Sequence, residues 1–240
     1  MANGGGSRGR SGGPRRTGGG RPPSPSPARA KTPKRDRPEP PPREEPRDFV
    51  LGAVPGATPG KWIGLWRERM PHVTLVLREI DVADQRTVFD DVDAALVRLP
   101  IDAPDDLHLI PLYDEQPVVV MSADADLTAG DEIELADLAG EVVIVPADDV
   151  LGINVPDAVS PAFTAPADTA EAIATVAAGV GVVIVPMSLA RANRRRDVEY
   201  RVLRDGPVSR VALAWLRDRT TPDVEAFVGI VRGRTARSSR

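Results

Sequence analysis

Cysteine is absent from this 240-residue chain, which removes disulfides, thiol nucleophiles and thiolate metal ligands together. Histidine is nearly absent: His72 and His108 lie far apart in sequence and read as loop or edge residues rather than catalysts. Neither a G-x-S-x-G elbow nor an H-E-x-x-H helix occurs, so the common hydrolase and metalloprotease chemistries lack their parts. No apolar run approaches the roughly 18 residues of a membrane span. The charged N-terminus is not followed by the apolar stretch of a secretory signal. A cytoplasmic protein without cofactor or metal, and without enzymatic activity, is the expectation.

Large apolar side chains are also missing from one end. No Leu, Ile, Val, Phe, Trp or Tyr precedes Phe49, while residues 1–47 hold nine Gly and eleven Pro. Ordering a residue costs about 1–2 kcal/mol, and such a segment has no apolar area to offset it. A disordered Gly/Pro/Arg-rich arm is expected over 1–47, too poor in apolar residues for a three-helix DNA-binding head. The folded body is expected from 48 to about 233, with a basic tail at 234–240.

Charge is segregated in the same way. Residues 1–47 carry 12 Lys and Arg against four acids, whereas residues 48–231 carry 15 against 31. The overall formal charge of -4 therefore averages a cationic arm with an acidic body. An acidic body is a poor nucleic-acid surface. The arm, with SRGRSGG and RPPSPSP, could contact phosphates by counterion release without folding.

What is present from Phe49 onward is an alternation of short apolar runs and helical periodicity. FVLGAV (49–54), VTLVLREI (73–80), DAALVRL (93–99), LHLIPLY (107–113) and QPVVVMS (116–122) read as strands. TPGKWIGLWRERM (58–70) and DQRTVFDDV (84–92) read as helices, the first stopped by Pro71. IELADLAG (133–140) reads as a short helix before the strand EVVIVP (141–146), and Ala147–Pro166 as loop. DTAEAIATVAAGVG (168–181) predicts a helix capped by Asp168, with Glu171 at capping-box spacing and Gly179 and Gly181 at its end. VVIVP (182–186), VEYRVL (198–203) and SRVALAWL (209–216) are further strands; SLARANRRR (188–196) and PDVEAFVGIVRG (222–233) are helices. Unbroken Val/Ile/Leu strands between helices indicate an α/β protein whose sheets are covered on both faces.

GAVPGATPGKW (52–62) invites comparison with a phosphate-binding loop, and fails it. The first glycine of G-x-x-x-x-G-K-[ST] would fall at Pro55 and the metal-holding hydroxyl at Trp62. What survives is a loop entering a helix start, with Thr58 as N-cap and Pro59 as first helical residue. Free backbone N–H groups there suit a carboxylate or other small anion. An ordinary capped turn with a solvated Lys61 explains the same residues. Asp90, Asp91 and Asp93 lack the ligand spacing of a calcium loop. Trp62 and Trp66 share a helical face that suits a core or a subunit interface. Arg194, Arg195 and Arg196 would close a helix, where cations suit its dipole.

The order of five segments carries a resemblance. FVLGAVPGATPGKWIGLWRERMPHVTLVLREI, DVDAALVRLPID, LHLIPLYDEQPVVVMSADADL, ELADLAGEVVIVP and TAEAIATVAAGVGVVIVPMSLA together resemble the effector-binding domain of LysR-type transcriptional regulators. The resemblance implies a two-lobed fold of the type 2 periplasmic-binding-protein kind with mixed sheets. It places lobe one at about 48–120 plus 211–233 and lobe two at about 121–209, with crossovers near Met121–Ser122 and Arg210. It implies a small-molecule effector between the lobes, touched by Thr58, Pro59 and Gly60, by Arg98, Leu99 and Pro100, and by Asp168 and Thr169 with Val185 and Pro186. The Arg98 guanidinium would fork onto a carboxylate. Homodimerisation also follows from the resemblance. So does an output in transcription, through the arm's own DNA contact or a DNA-binding partner. A second reading makes the arm a nonspecific nucleic-acid binder and the folded domain its scaffold.

Overall fold

The computed structural model describes residues 46–102 and 105–233. Of the expected arm, residues 1–45 lie outside the described residues, as does the 234–240 tail. Arg47, counted with the arm, instead opens the first strand and pairs with Asp223 at 2.7 Å.

Two five-stranded mixed sheets make up the body. The first contains β1 (Arg47–Ala53), β2 (Val73–Glu79), β3 (Ala94–Leu99), β4 (Leu107–Glu115) and β10 (Ser209–Leu216), ordered β2-β1-β3-β10-β4. The second contains β5 (Pro117–Ser122), β6 (Glu132–Ile133), β7 (Val143–Ile144), β8 (Val182–Pro186) and β9 (Val198–Leu203), ordered β6-β9-β5-β8-β7. β1 runs parallel to β2 and β3, while β10 is antiparallel to both of its neighbours. β5 is antiparallel to β8 and β9.

The change of sheet falls at Gln116, earlier than the expected Met121–Ser122. The reason is register: Val118, Val119 and Val120 pair with β8 and β9, so the whole of β5 belongs to the second sheet. The return occurs between Leu203 and Ser209, close to the expected Arg210.

The central strands of each sheet bury both faces, as their apolar runs require, while β2 at the edge is mostly exposed. In β1, Phe49 and Leu51 point into a cluster with Trp66, Leu96, Leu213 and Phe227, contributed partly by helices α1 (Gly60–Arg69) and α4 (Pro222–Val231). Phe49 stacks on Trp66 with centroids 4.6 Å apart, and the Trp66 indole N–H donates to the Val73 carbonyl at 2.9 Å. Burying each such ring contributes about 2–3 kcal/mol. Residues of opposite parity, Val54, Ala95 and Val97, pack on the other face with Ile80 and Phe89. In β5, Val118 and Val120 meet α2 (Thr169–Ala177) and α3 (Met187–Ala192), whereas Val119 and Met121 meet Ile133, Leu138 and Leu203. One pleated strand thus feeds two cores.

Several local expectations change. Residues 84–92 form turns and only a 3-10 segment, Val88–Asp90, although Gln85, Phe89 and Val92 are buried at helix-like spacing. Residues 133–140 split into β6 and a 3-10 segment, Leu135–Leu138, and β7 keeps only Val143–Ile144 of the longer run. α3 stops at Ala192, so Arg194, Arg195 and Arg196 follow the helix rather than close it. Thr58 does not cap α1: Pro59 occupies that position and no side chain caps it. Asp168 does cap α2, accepting from Glu171 N at 2.8 Å; Glu171 reaches back to Ala167 N instead of completing a box.

Candidate functional site

Arg98 is the most connected side chain of the first sheet. It lies within β3 with 2% side-chain exposure, so it is not a surface residue past the strand. Gln85 brackets its backbone, accepting from Arg98 N at 2.9 Å and donating to Arg98 O at 3.0 Å. One guanidinium nitrogen donates to Glu115 Oε2 at 3.0 Å and Ser209 Oγ at 2.8 Å. The other donates to the Pro55 carbonyl at 3.1 Å and to Ser188 Oγ at 3.2 Å. Ser188 Oγ in turn donates to Glu115 Oε2 at 2.7 Å. Arg98 Nε is buried without a hydrogen-bond partner among the described residues. Ser188 belongs to α3, so this network joins the two sheets. Its buried cation is neutralised by Glu115, without which the desolvation cost would be several kcal/mol.

Gly56 permits that junction. Its φ of 82° lies in the left-handed region, and a Cβ there would strike Ser188 Oγ and come within 3.0 Å of both an Arg98 nitrogen and Leu189. The loop after β1 therefore has to present bare backbone where the sheets meet.

Two hollows adjoin the junction, lined by strand-end, loop and helix residues that connect to both sheets. The larger, about 840 Å³, is bounded by Gly56 and Thr58, by the end of β4 from Tyr113 to Gln116, and by Met187, Ser188 and Arg191 of α3. Both of its carboxylates are engaged: Glu115 with Arg98, and Asp114 with Arg210 at 2.8 Å. The Arg210 hydrogen bond holds Asp114 below the usual carboxylate range. Burial, seconded by Glu115, pushes the Tyr113 phenol up, while Arg98 and the Thr58 backbone pull the other way. Tyr113 is therefore a neutral hydroxyl at ordinary pH. Arg191 lines the same hollow and has no ion pair or hydrogen bond among the described residues.

The smaller hollow, about 520 Å³, has the opposite character. Asp81, Asp84, Asp148, Asp149 and Asp168 line it beside Pro55 and Leu189, with no base among them. Asp148 accepts from Thr169 Oγ1 at 3.0 Å, and Asp149 accepts from the backbones of Leu151 and Gly152. No grouping of His, Asp and Glu among the described residues suits a metal ion.

The anticipated contact residues are distributed across this region. Thr58 opens on the larger hollow, with Pro59 buried and Gly60 exposed at the start of α1. Asp168 lines the smaller hollow, and Thr169 is buried behind it. Arg98 sits at the junction. Leu99 and Pro100 follow at the end of β3 across a cis peptide bond, half-buried and exposed respectively. Val185 and Pro186 are buried at the end of β8, Val185 packing against α2. Tyr113, Gln116, Ser188 and Arg191 escape the sequence reading. The available signal was the three-residue spacing of Ser188 and Arg191, which puts both on one side of a helix directly after a buried strand.

Residues 44–236 match the LysR substrate binding domain. The chain belongs to that family. Over 209 residues, covering 80% of this chain and 70% of the relative, the LysR-type domain is 26% identical to the Hca operon transcriptional activator HcaR of Escherichia coli (strain K12). Among solved structures it resembles the BenM effector binding domain with its effector benzoate, at a TM-score of 0.65 and 20% identity over 81% of this chain and 94% of that one. It also resembles the reduced OxyR regulatory domain from Pseudomonas aeruginosa, at a TM-score of 0.62 and 23% identity over 79% and 96% of the two chains. The expected two-sheet α/β fold of the type 2 periplasmic-binding-protein kind is the one observed. The LysR-type domain is thus an effector-sensing module of the sort found in transcriptional regulators. No helix among its described residues is long and apolar enough to cross a membrane.

Proposed function

We propose that this LysR-type domain senses a small carboxylate-bearing metabolite in the larger inter-sheet hollow. The observation that carries the reading is Arg191. It is the one charge lining that hollow that no partner among the described residues neutralises. The Tyr113 hydroxyl, the Gln116 amide and the Thr58 hydroxyl add polar groups of the kind that orient a ligand. Benzoate, the effector of BenM, is itself a carboxylate. The wider contact set keeps Pro59 and Gly60 at the amide-lined start of α1, with Arg98, Leu99 and Pro100 as the first sheet's floor. Val185 and Pro186 are buried on the second sheet's side, whereas Asp168 lines the smaller hollow with Thr169 buried behind it. Arg98 then serves as part of the wall, because Glu115 already occupies its charge.

Closure of the sheets on the ligand would shift a two-state equilibrium by its differential affinity for the closed form. Output would pass to transcription, through a pair of such chains and through DNA contact by the basic arm or a DNA-binding partner. Thermal denaturation against a panel of aromatic and aliphatic monocarboxylates tests the reading. At least one should raise the melting temperature of the wild type, and Arg191→Gln should weaken that ligand about tenfold or more, the worth of a charge-assisted hydrogen bond. A stabilising carboxylate indifferent to Arg191→Gln would refute it.

A further inference from the structure

A second cationic site lies on the other flank of α3. Five guanidiniums, from Arg191, Arg194, Arg195, Arg196 and Arg201, and one carboxylate, Glu199, border a cleft of about 950 Å³ whose apolar side is Val120, Ala190, Val198 and the Tyr200 ring. Two of these cations are held within the protein. Arg195 forms two hydrogen bonds to the Asp197 carboxylate, at 2.9 and 3.0 Å. Arg201 pairs with Glu199 at 2.8 Å and donates to the carbonyls of Gly130 and Thr128. Arg191, Arg194 and Arg196 have no ion pair or hydrogen bond among the described residues. Three uncompensated cations therefore face one concavity, beside two others whose positions are fixed.

We infer that this cleft binds a compact polyanion carrying at least two phosphate groups. Size and surroundings both favour a compact ligand. The volume is in the range of small-molecule sites, on the order of 300–1,000 Å³. Over residues 48–231 the body carries 31 acids against 15 bases, the five cleft arginines included, so an extended duplex would meet net repulsion from the rest of that surface. Guanidinium forks match phosphate oxygens bidentately, and three of them can neutralise a small polyphosphate without contribution from the rest of the surface. The inference stands apart from the carboxylate reading. Arg194 and Arg196 do not line the inter-sheet hollow, and only Arg191 stands on the rim common to both.

The test is isothermal titration of the full chain with sodium tripolyphosphate at low ionic strength, comparing wild type with the Arg194→Ala/Arg196→Ala double variant. Both positions are exposed and outside any helix or strand, and equal melting temperatures verify that the variant is folded. The basic N-terminal segment is the same in both proteins, so the difference reports the cleft. The double variant should bind tripolyphosphate about tenfold more weakly or worse, and duplex DNA of random sequence should be little affected by the substitutions. Affinities within about twofold of each other would overturn the inference, by assigning the binding to the N-terminal segment. So would a matching loss of duplex affinity, which would make the cleft part of a nucleic-acid surface. Equal affinity for citrate would remove the phosphate assignment.

Discussion

The guanidinium of Arg98, rooted in β3, donates to the hydroxyl of Ser188 at the start of α3, 3.2 Å away across the boundary between the two sheets. Glu115 Oε2 accepts from both residues, so one carboxylate oxygen serves a buried cation and the contact between sheets at once. Replacing Glu115 by Gln preserves the shape but leaves Arg98 without a counter-charge. Urea unfolding should show a loss of about 3–5 kcal/mol, as for other broken buried pairs. Ser188→Ala should cost only about 1 kcal/mol.

Gly56→Ala should be more damaging than its size suggests. The left-handed backbone penalises any Cβ by about 1–2 kcal/mol, and this Cβ also collides with Ser188. Gly60→Ala is the contrast: nothing lies within 4 Å of its added carbon, and it sits in the first turn of α1, where Ala is favoured by up to about 1 kcal/mol. Thermal melts of the two variants should move in opposite directions.

Asp168 has a structural duty separate from any ligand. Its carboxylate accepts from Glu171 N at the head of α2, a helix whose inner face buries Ala172, Ile173 and Val176. Asp168→Ala should cost about 1 kcal/mol in chemical denaturation, whereas Asp168→Asn should cost much less.

The strands were legible because apolar runs and their breaks are local signals. VEYRVL and SRVALAWL occupy β9 and β10 as read, and Asp168 caps α2 as its position before TAEAIATVA suggests. Residues 84–92 misled because Gln85, Phe89 and Val92 are buried at helical spacing, while the Gln85 amide is drawn to the Arg98 backbone instead of a helix. The candidate site was harder to read, since its polarity is decided by pairing. Arg98 looks available in DAALVRLP, yet Glu115, seventeen residues on, claims its charge. Arg191 looks like one basic residue among several in LARANRRR, yet among the described residues nothing neutralises it beside the larger hollow. Which cation remains free is a property of the fold, and no spacing rule contains it.

Tyr113 and Asp114, adjacent on β4, should respond to pH at opposite extremes. Tyr113 has a raised folded-state pKa, so its contribution to stability is complete below the ordinary phenol value of 10.0 and declines as pH rises through the shifted one. The ultraviolet phenolate titration of wild type minus that of Tyr113→Phe should therefore show a midpoint above 10.0. Asp114 is depressed by its Arg210 hydrogen bond, so its contribution is present above 3.8 and is lost as pH falls through the lower folded-state value. Arg210→Gln should return the Asp114 carboxyl, followed by NMR, toward 3.8.

A crystal structure of the full chain, grown with whichever carboxylate most raises its melting temperature, puts the account to its most direct trial. The ligand's carboxylate should lie within hydrogen-bond distance of Arg191, with its body between Thr58 and Gln116 and the Arg98–Glu115 pair intact. A carboxylate found bonded to Arg98 in place of Glu115, or outside the space between the two sheets, would contradict it.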